Sequence, residues 1–254
     1  MYIFNRTGLH ITRFVNSISL FFVLLGHLSH SLKDITFGRE SIAWFRVVRI
    51  LFYSGVVLVI PLIIICSLIA ISLSLNAFSI LAPFSLQNKA LPISQDILTQ
   101  DILPLLIGVV LCVQSSLNII NARLKITKLC RTPHEVIHEY IMPIMIGINL
   151  TGLLLFTYTI VAVFISLFFT FHYLLDVSTH DFLIHVGHSV TIAALFYSVV
   201  KTLLYCSIVS FTAGYYYYHV AVNQISLRKA VSRIFTRGSL WLTLLSVYWK
   251  LMRF

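Results

Sequence analysis

Charge is what this chain has least of, and acid least of all. Eight Asp and Glu stand against 18 Lys and Arg in 254 residues, and charged side chains make up only 10% of the whole. A soluble domain carries about 25%, so too few charges remain here to solvate a surface, and a soluble globule is excluded. Cysteine is sparse too. Cys66, Cys112, Cys130 and Cys206 are scattered, three of them inside apolar runs, which fits buried thiols better than a disulfide framework or a zinc site. The patterns G-x-x-x-x-G-K-[ST], G-x-S-x-G and H-E-x-x-H are absent, which excludes nucleotide binding through a Walker loop. The opening Met1–Arg6 lacks a basic region followed by an apolar core and a small-residue site, so no cleaved signal is expected.

What is present is apolar length. Ile50–Asn88, Ile102–Ala122, Tyr140–Leu175 and Thr202–Leu227 carry no charge, and each exceeds the roughly 18–20 residues needed to cross a bilayer. Nineteen Phe and twelve Tyr suit lipid-facing and interfacial positions. The fold class is therefore an all-α integral membrane protein in one domain, residues 1–254. The net charge of +10 would suggest nucleic acid in a soluble protein; here it places basic loops against anionic lipid in the cytoplasm.

In chain order, Phe14–Leu32 is uncharged, but its periodicity argues against a span. Phe14, Ile18, Phe21, Leu25, Leu28 and Leu32 form one apolar stripe, with Arg13, Asn16, Ser19, His27, His30 and Ser31 opposite. Basic residues flank both ends, so an amphipathic helix over 8–34 lying in the interface is expected. Five spans follow, at about 48–76, 93–122, 140–171, 197–220 and 234–251. Pro61 is expected to kink the first, and Pro83 and Pro92 bracket an outer turn. The loop 123–139 is basic and belongs in the cytoplasm, as does 223–237. The loop 171–182 holds Asp176 and Asp181 with no Lys or Arg, so it faces outward.

Between Glu40 and Glu135 the only acids are Asp96 and Asp101. An acid beside a span is costly unless it faces protein, water or a headgroup, which makes this stretch the first functional suspect. Lys201 is the one cation in the stretch Phe182–Leu227; it either snorkels to the outer interface or pairs with an outer-side acid. Gln114, Ser115, Ser116, Asn118 and Asn121 form a polar cluster suited to interhelical hydrogen bonding. Tyr215–Tyr218 read as an aromatic belt at a span's cytoplasmic end. His172, Asp176, His180, Asp181, His185 and His188 gather on the outer side, and His185-x-x-His188 has the spacing of a helical ligand pair. Interfacial histidines are the simpler reading, and no metal or other cofactor is expected. A membrane-embedded lipid-modifying enzyme built on this cluster is the alternative function.

Several short motifs occur in a telling order. Leu75-Asn76-Ala77-Phe78 resembles a Leu-Gln-x-aromatic stretch, and Gln100-Asp101-Ile102-Leu103-Pro104 resembles Arg-Glu-Leu-Gly-Pro. Val199-Val200-Lys201-Thr202 resembles an Ile-Lys-Ser stretch, and Gly214-Tyr215 with Ser232-Arg233-Ile234-Phe235-Thr236-Arg237 resembles Gly-Tyr followed by Ser-Arg-x-x-Thr-Arg. In this order and spacing the chain resembles the MlaE/YrbE permease family, the membrane subunits of ABC lipid transporters that work with MCE-domain proteins. It departs from the family after Pro104, where an Arg and a Glu are lost near Gln114 and Asn121. The cytoplasmic loop before Pro143 is shorter and lacks a Glu-rich coupling sequence, and there is an insertion between Gly214 and Ser232.

The resemblance implies a five-span permease with an interfacial N-terminal helix, working as a homodimer in a bacterial inner membrane. It implies an ABC ATPase subunit below and an MCE-domain protein above, moving phospholipid between inner and outer membranes and so maintaining outer-membrane lipid asymmetry, with ATP hydrolysis left to the separate subunit. Substrate-binding candidates are Leu73, Asn76, Ile80, Leu81, Phe84, Gln100 and Asp101: apolar walls for acyl chains and polar groups for a headgroup. Lys128, Arg131, His134, Glu135 and His138 are the candidates for ATPase coupling.

Overall fold

The computed structural model describes residues 44–129, 141–189, 191–221 and 225–252, with isolated positions between 22 and 33; the side chains at 53, 54, 88, 120–129, 185, 188, 189 and 221 are outside the description. Most of the expected interfacial helix, and Arg131, His134, Glu135 and His138, therefore lie outside the described residues, as does the side chain of Lys128.

Among the described residues there are helices and no strands. In chain order they are α1 (Trp44–Leu51), α2 (Val57–Leu81), α3 (Ala90–Asp96), α4 (Leu103–Leu129), α5 (Met142–Phe169), α6 (Thr179–Ser189), α7 (Ile192–Ala221) and α8 (Leu227–Leu251). Wider π-turns join α1 to α2 at Phe52–Val56 and α3 to α4 at Ile97–Ile102, and extend α5 over Thr170–Leu174. Between α2 and α3 the chain turns through Ala82–Phe84 and Gln87–Lys89, helped by Ser85 in the left-handed region at φ 57°.

Four continuous helical stretches are long and apolar enough to cross a membrane: Val57–Phe84, Ala90–Ile119, Met142–Leu174 and Ile192–Val220. With them the all-α membrane fold read from composition holds. The fifth long helix, α8, has 25 residues, about 37 Å at 1.5 Å per residue, but Arg228, Lys229, Arg233 and Arg237 occupy its first half. Its exposed Leu240, Trp241, Leu244, Val247 and Tyr248 give the second half an apolar outer face.

The packing centres on α7, which lies against α4, α5 and α8. The α2 helix packs on α5 and α3, and α1 lies on α5. On α2 the buried residues are Leu62, Cys66, Ala70 and Ser74, a strict four-residue repeat that makes one narrow seam. Ile60, Ile64 and Leu68 are exposed on the same helix. Lipid tails are as apolar as leucine, so helices associate here through close backbone approach rather than apolar burial. Gly152 on α5 is that close approach: a Cβ there would stand 2.1 Å from Cys206 Sγ on α7. Gly238 on α8 does the same against α4, where a Cβ would meet Cys112 Sγ at 2.6 Å. The cysteines act as small apolar knobs seated on glycines.

Candidate functional site

The site begins with a missing hydrogen-bond donor. Pro104 has no N–H, so the carbonyl four residues earlier, that of Gln100, loses its ordinary helical partner. Lys201 on α7 supplies one from outside: its Nζ donates to Gln100 O at 2.8 Å. The same ammonium donates to Asp101 Oδ1 at 2.8 Å. Lys201 is 1% exposed and Asp101 24%. Asp101 Oδ2 faces a second cation, Lys250 on the last turn of α8, at 3.2 Å, and Lys250 is 63% exposed. Gln100 turns its side chain back along its own segment, Nε2 donating to Asp96 Oδ1 at 3.1 Å. Trp249 Nε1 donates to Tyr197 OH, fastening the end of α8 to the start of α7 beside this group.

A buried ammonium needs an acceptor for its protons and a counter-charge. Lys201 has both, from two consecutive residues. Of the two readings of Lys201, snorkelling and pairing, the structure selects pairing. Three helical segments distant in sequence thus meet on one carboxylate. The inner half of that carboxylate is locked by a buried partner, and the outer half is held by a solvent-accessible lysine side chain.

The other substrate-binding candidates divide between two faces of α2. Leu73 and Leu81 are half-buried and pack on the core with Ala77 between them. Asn76, Ile80 and Phe84 form an exposed stripe; Ile80 is 66% and Phe84 70% exposed. The stripe presents an apolar edge with one amide, toward lipid or another chain.

In the outer His/Asp cluster, His172, Asp176 and Asp181 take part in local structure, while the side chains of His185 and His188 lie outside the described residues. His172 Nδ1 hydrogen-bonds to Val177 O at 3.1 Å and its ring stacks on Phe168 at 5.4 Å. Ser178 and Asp181 form a reciprocal cap on α6: Ser178 Oγ donates to Asp181 Oδ2 at 2.7 Å, and the Asp181 N–H donates to Ser178 Oγ at 3.1 Å. Asp176 takes a left-handed conformation, φ 51°, at the turn before it. Among the described residues no three His, Cys, Asp or Glu side chains gather as a ligand set.

Some polar features behave otherwise than expected. Tyr216, Tyr217 and Tyr218 are buried in the bundle rather than ranged along a lipid-facing belt, because the α7 face that carries them packs against other helices. Tyr217 OH donates to Ser115 O at 3.1 Å, which joins α7 to the backbone of the α4 polar cluster. The Ser116 hydroxyl stays within its own helix, donating to Val113 O at 2.6 Å. Between α5 and α7, Asn149 makes a latch: Nδ2 donates to Ser210 Oγ at 3.3 Å, and Ser207 Oγ donates to Oδ1 at 3.1 Å. Lys250 and Asn149 were not singled out by the sequence. Charge count alone could have flagged Lys250, a lone cation near the end of the last expected span.

Compared with known families, the chain matches the Permease MlaE family over residues 47–252. It belongs to the MlaE permease family. The matched segment runs from α1 to just past α8 and contains Gln100, Asp101, Lys201 and Lys250, so the ion-paired group lies wholly within the family's domain. No curated protein matches the chain. As an MlaE permease it is a multi-pass membrane subunit of an ABC transporter. Within that role the Asp101 group offers a fixed polar point where several helices begin or end, next to exposed apolar helix surface.

Proposed function

We propose that this MlaE permease moves phospholipid between the inner and outer membranes of a bacterium, as a homodimer with an ABC ATPase and an MCE-domain protein. The observation that carries the reading is the Lys201–Asp101–Lys250 group at the end of the bundle where α7 begins and α8 ends. A phospholipid needs an apolar surface for its chains and a small polar locus for its headgroup. Leu73, Ile80, Leu81 and Phe84 supply the first; Asn76, Gln100 and Asp101 supply the second. Lys250 is the side chain free to exchange its carboxylate for a lipid phosphate, since it is exposed and Asp101 stays paired to Lys201. Two copies of the exposed stripe of α2, brought together at a dimer axis, enclose what one copy leaves open. The 123–139 loop, with Lys128, Arg131, His134, Glu135 and His138, is the coupling surface for the ATPase.

The test is substitution at Asp101. Asp101→Asn keeps shape and hydrogen bonding, and Asp101→Leu removes both charge and bonding. The Leu variant is expected to insert and dimerise but transport poorly in a vesicle lipid-transfer measurement, with Asn between it and the native protein. Photo-cross-linkers at Phe84 and Asp101 should capture phospholipid, while one at Phe164 should label bulk lipid alone. Native transport by Asp101→Leu, with no lipid captured at either inner position, would place the pathway elsewhere. Topology reporters complete the test: Asp176 outside, and Lys33 and Lys128 in the cytoplasm.

A further inference from the structure

Far along α7 from Lys201, a second polar group has no counter-charge. His219 is 4% exposed, and neither Nδ1 nor Nε2 has a hydrogen-bond partner. Buried ring nitrogens are almost always paired, so an imidazole with both unpaired marks a missing partner. Its ring lies edge-on to Tyr215, centroids 4.4 Å apart. The Tyr216 ring lies next to it, centroids 6.4 Å apart, and α8 brings Arg233 and Arg237, one helical turn apart, to this end of α7. Arg237 Cζ stands 5.9 Å from the centroid of the Tyr216 ring, a cation–π contact that holds the guanidinium against α7. Among the described residues the ion pairs Lys201–Asp101 and Lys250–Asp101 both lie at the opposite end of α7, and no carboxylate faces Arg233 or Arg237. Two exposed guanidinium groups one turn apart, with a buried unpaired imidazole on the facing helix, are suited to a tetrahedral oxyanion, because each guanidinium can donate a planar pair of N–H groups. By the charge rule this end of α7 faces the cytoplasm. Exposed Phe235 and Leu240 on α8 put apolar surface next to the group.

We infer that Arg233, Arg237 and His219 form a phosphate-binding site at the α7–α8 crossing, filled by the headgroup phosphate of an anionic phospholipid resident in the cytoplasmic leaflet. Basic pockets between transmembrane helices on that side hold anionic headgroups by this chemistry. The site is separate from the Asp101 group, and its lipid is a bound constituent rather than cargo.

The experiment uses the full-length chain, delipidated in neutral detergent and given equimolar dioleoylphosphatidylglycerol and dioleoylphosphatidylcholine, with retained lipid counted by native mass spectrometry. The native chain is expected to keep phosphatidylglycerol over phosphatidylcholine by roughly 5-fold or more, about 1 kcal/mol of preference. Arg233→Gln with Arg237→Gln should abolish the preference, and His219→Phe should reduce it. Lys229→Gln, a charge loss on the same helix outside the site, should leave it intact. Should the double variant fail to fold, Arg237→Lys keeps the charge without the fork and should weaken the preference. A second arm adds inorganic phosphate without anionic lipid. Thermal stabilisation of the native chain but not of the double variant would support the same phosphate chemistry with a free anion as its source. An unchanged preference in the double variant overturns the inference, as does equal loss in Lys229→Gln. So does loss of ATPase co-purification in the double variant while lipid retention stays native, which would assign the arginines to a protein partner.

Discussion

The two ends of α7 carry the same kind of residue and treat it in opposite ways. At one end Lys201 is buried with both a carboxylate and an orphaned carbonyl for partners. At the other His219 is buried with no hydrogen-bond partner on either ring nitrogen, and among the described residues no ion pair holds Arg233 or Arg237. Burial is costly to a polar group at either end, and most costly to the charged lysine. The difference is that one end completes itself within the chain, so its geometry is fixed before any ligand arrives, while the other is complete only when something else is bound. A permease with a built-in anchor at one face and an open cationic socket at the other can distinguish its two membrane surfaces by chemistry as well as by topology.

The most general way to break this comparison, comparable in size to losing the Lys201 anchor, is to wedge apart the packing of the helix that carries both ends. Gly152→Leu would drive a side chain into Cys206, where even a Cβ stands 2.1 Å from the sulfur. Overpacking of this kind costs about 1–3 kcal/mol and sometimes more, so folded protein recovered by size-exclusion chromatography should fall several-fold; Gly152→Leu with Cys206→Ala should recover part of it. Native recovery of the single variant would mean that α5 and α7 do not meet there.

Of comparable size is the loss of the built-in anchor. Lys201→Met leaves Asp101 without its buried partner, and breaking a buried pair from one side costs about 3–5 kcal/mol. Lys250 still faces Asp101, so the loss should fall toward the lower figure. Lys201→Met with Asp101→Leu should be more stable than Lys201→Met alone, read as thermal unfolding in detergent. A double variant no better than the single would show that Asp101 is not the group made costly by losing the lysine.

Lys250→Met sharpens the contrast inside the group itself. At 63% exposure this lysine is a surface partner, and such pairs contribute roughly 0–1 kcal/mol. Its removal should barely move the unfolding midpoint yet change the salt dependence of lipid transfer, where removal of Lys201 does the reverse. A large stability loss from Lys250→Met would make both lysines structural. The smallest effect belongs to the latch midway along α7. Asn149→Leu gives up bonds to Ser207 and Ser210, and an interhelical hydrogen bond in a bilayer averages about 0.6 kcal/mol. A loss several times larger would show that the two ends are coupled through it.

Much of this was legible in the sequence. The uncharged runs announced the long helices because bilayer length is a constraint written directly in composition. Asp101 stood out because acid is so scarce. Its partner was harder to read, since Lys201 lies 100 residues away and a lone lysine near a span end has two ordinary fates. The consequence of Pro104 for the Gln100 carbonyl could be stated from the sequence, but not which side chain would answer it. Tyr216–Tyr218 misled because a buried aromatic face and an interfacial belt have the same composition, and only helix packing separates them. His219 carried no signal at all, because its isolation comes from what α8 places beside it.

The 100-residue gap between Asp101 and Lys201 also has a meaning in time. A ribosome adds roughly 5–20 residues per second, so the helix bearing Asp101 is made about 5–20 s before the lysine that will hold it. For that interval the carboxylate has no partner from its own chain, and a lone acid in lipid is costly. The newborn segment therefore has to wait against protein or at the bilayer surface until α7 arrives. Insertion of this permease is thus paced by its second half, and a ribosome stalled between residues 101 and 201 would leave a half-made product marked by an unanswered charge.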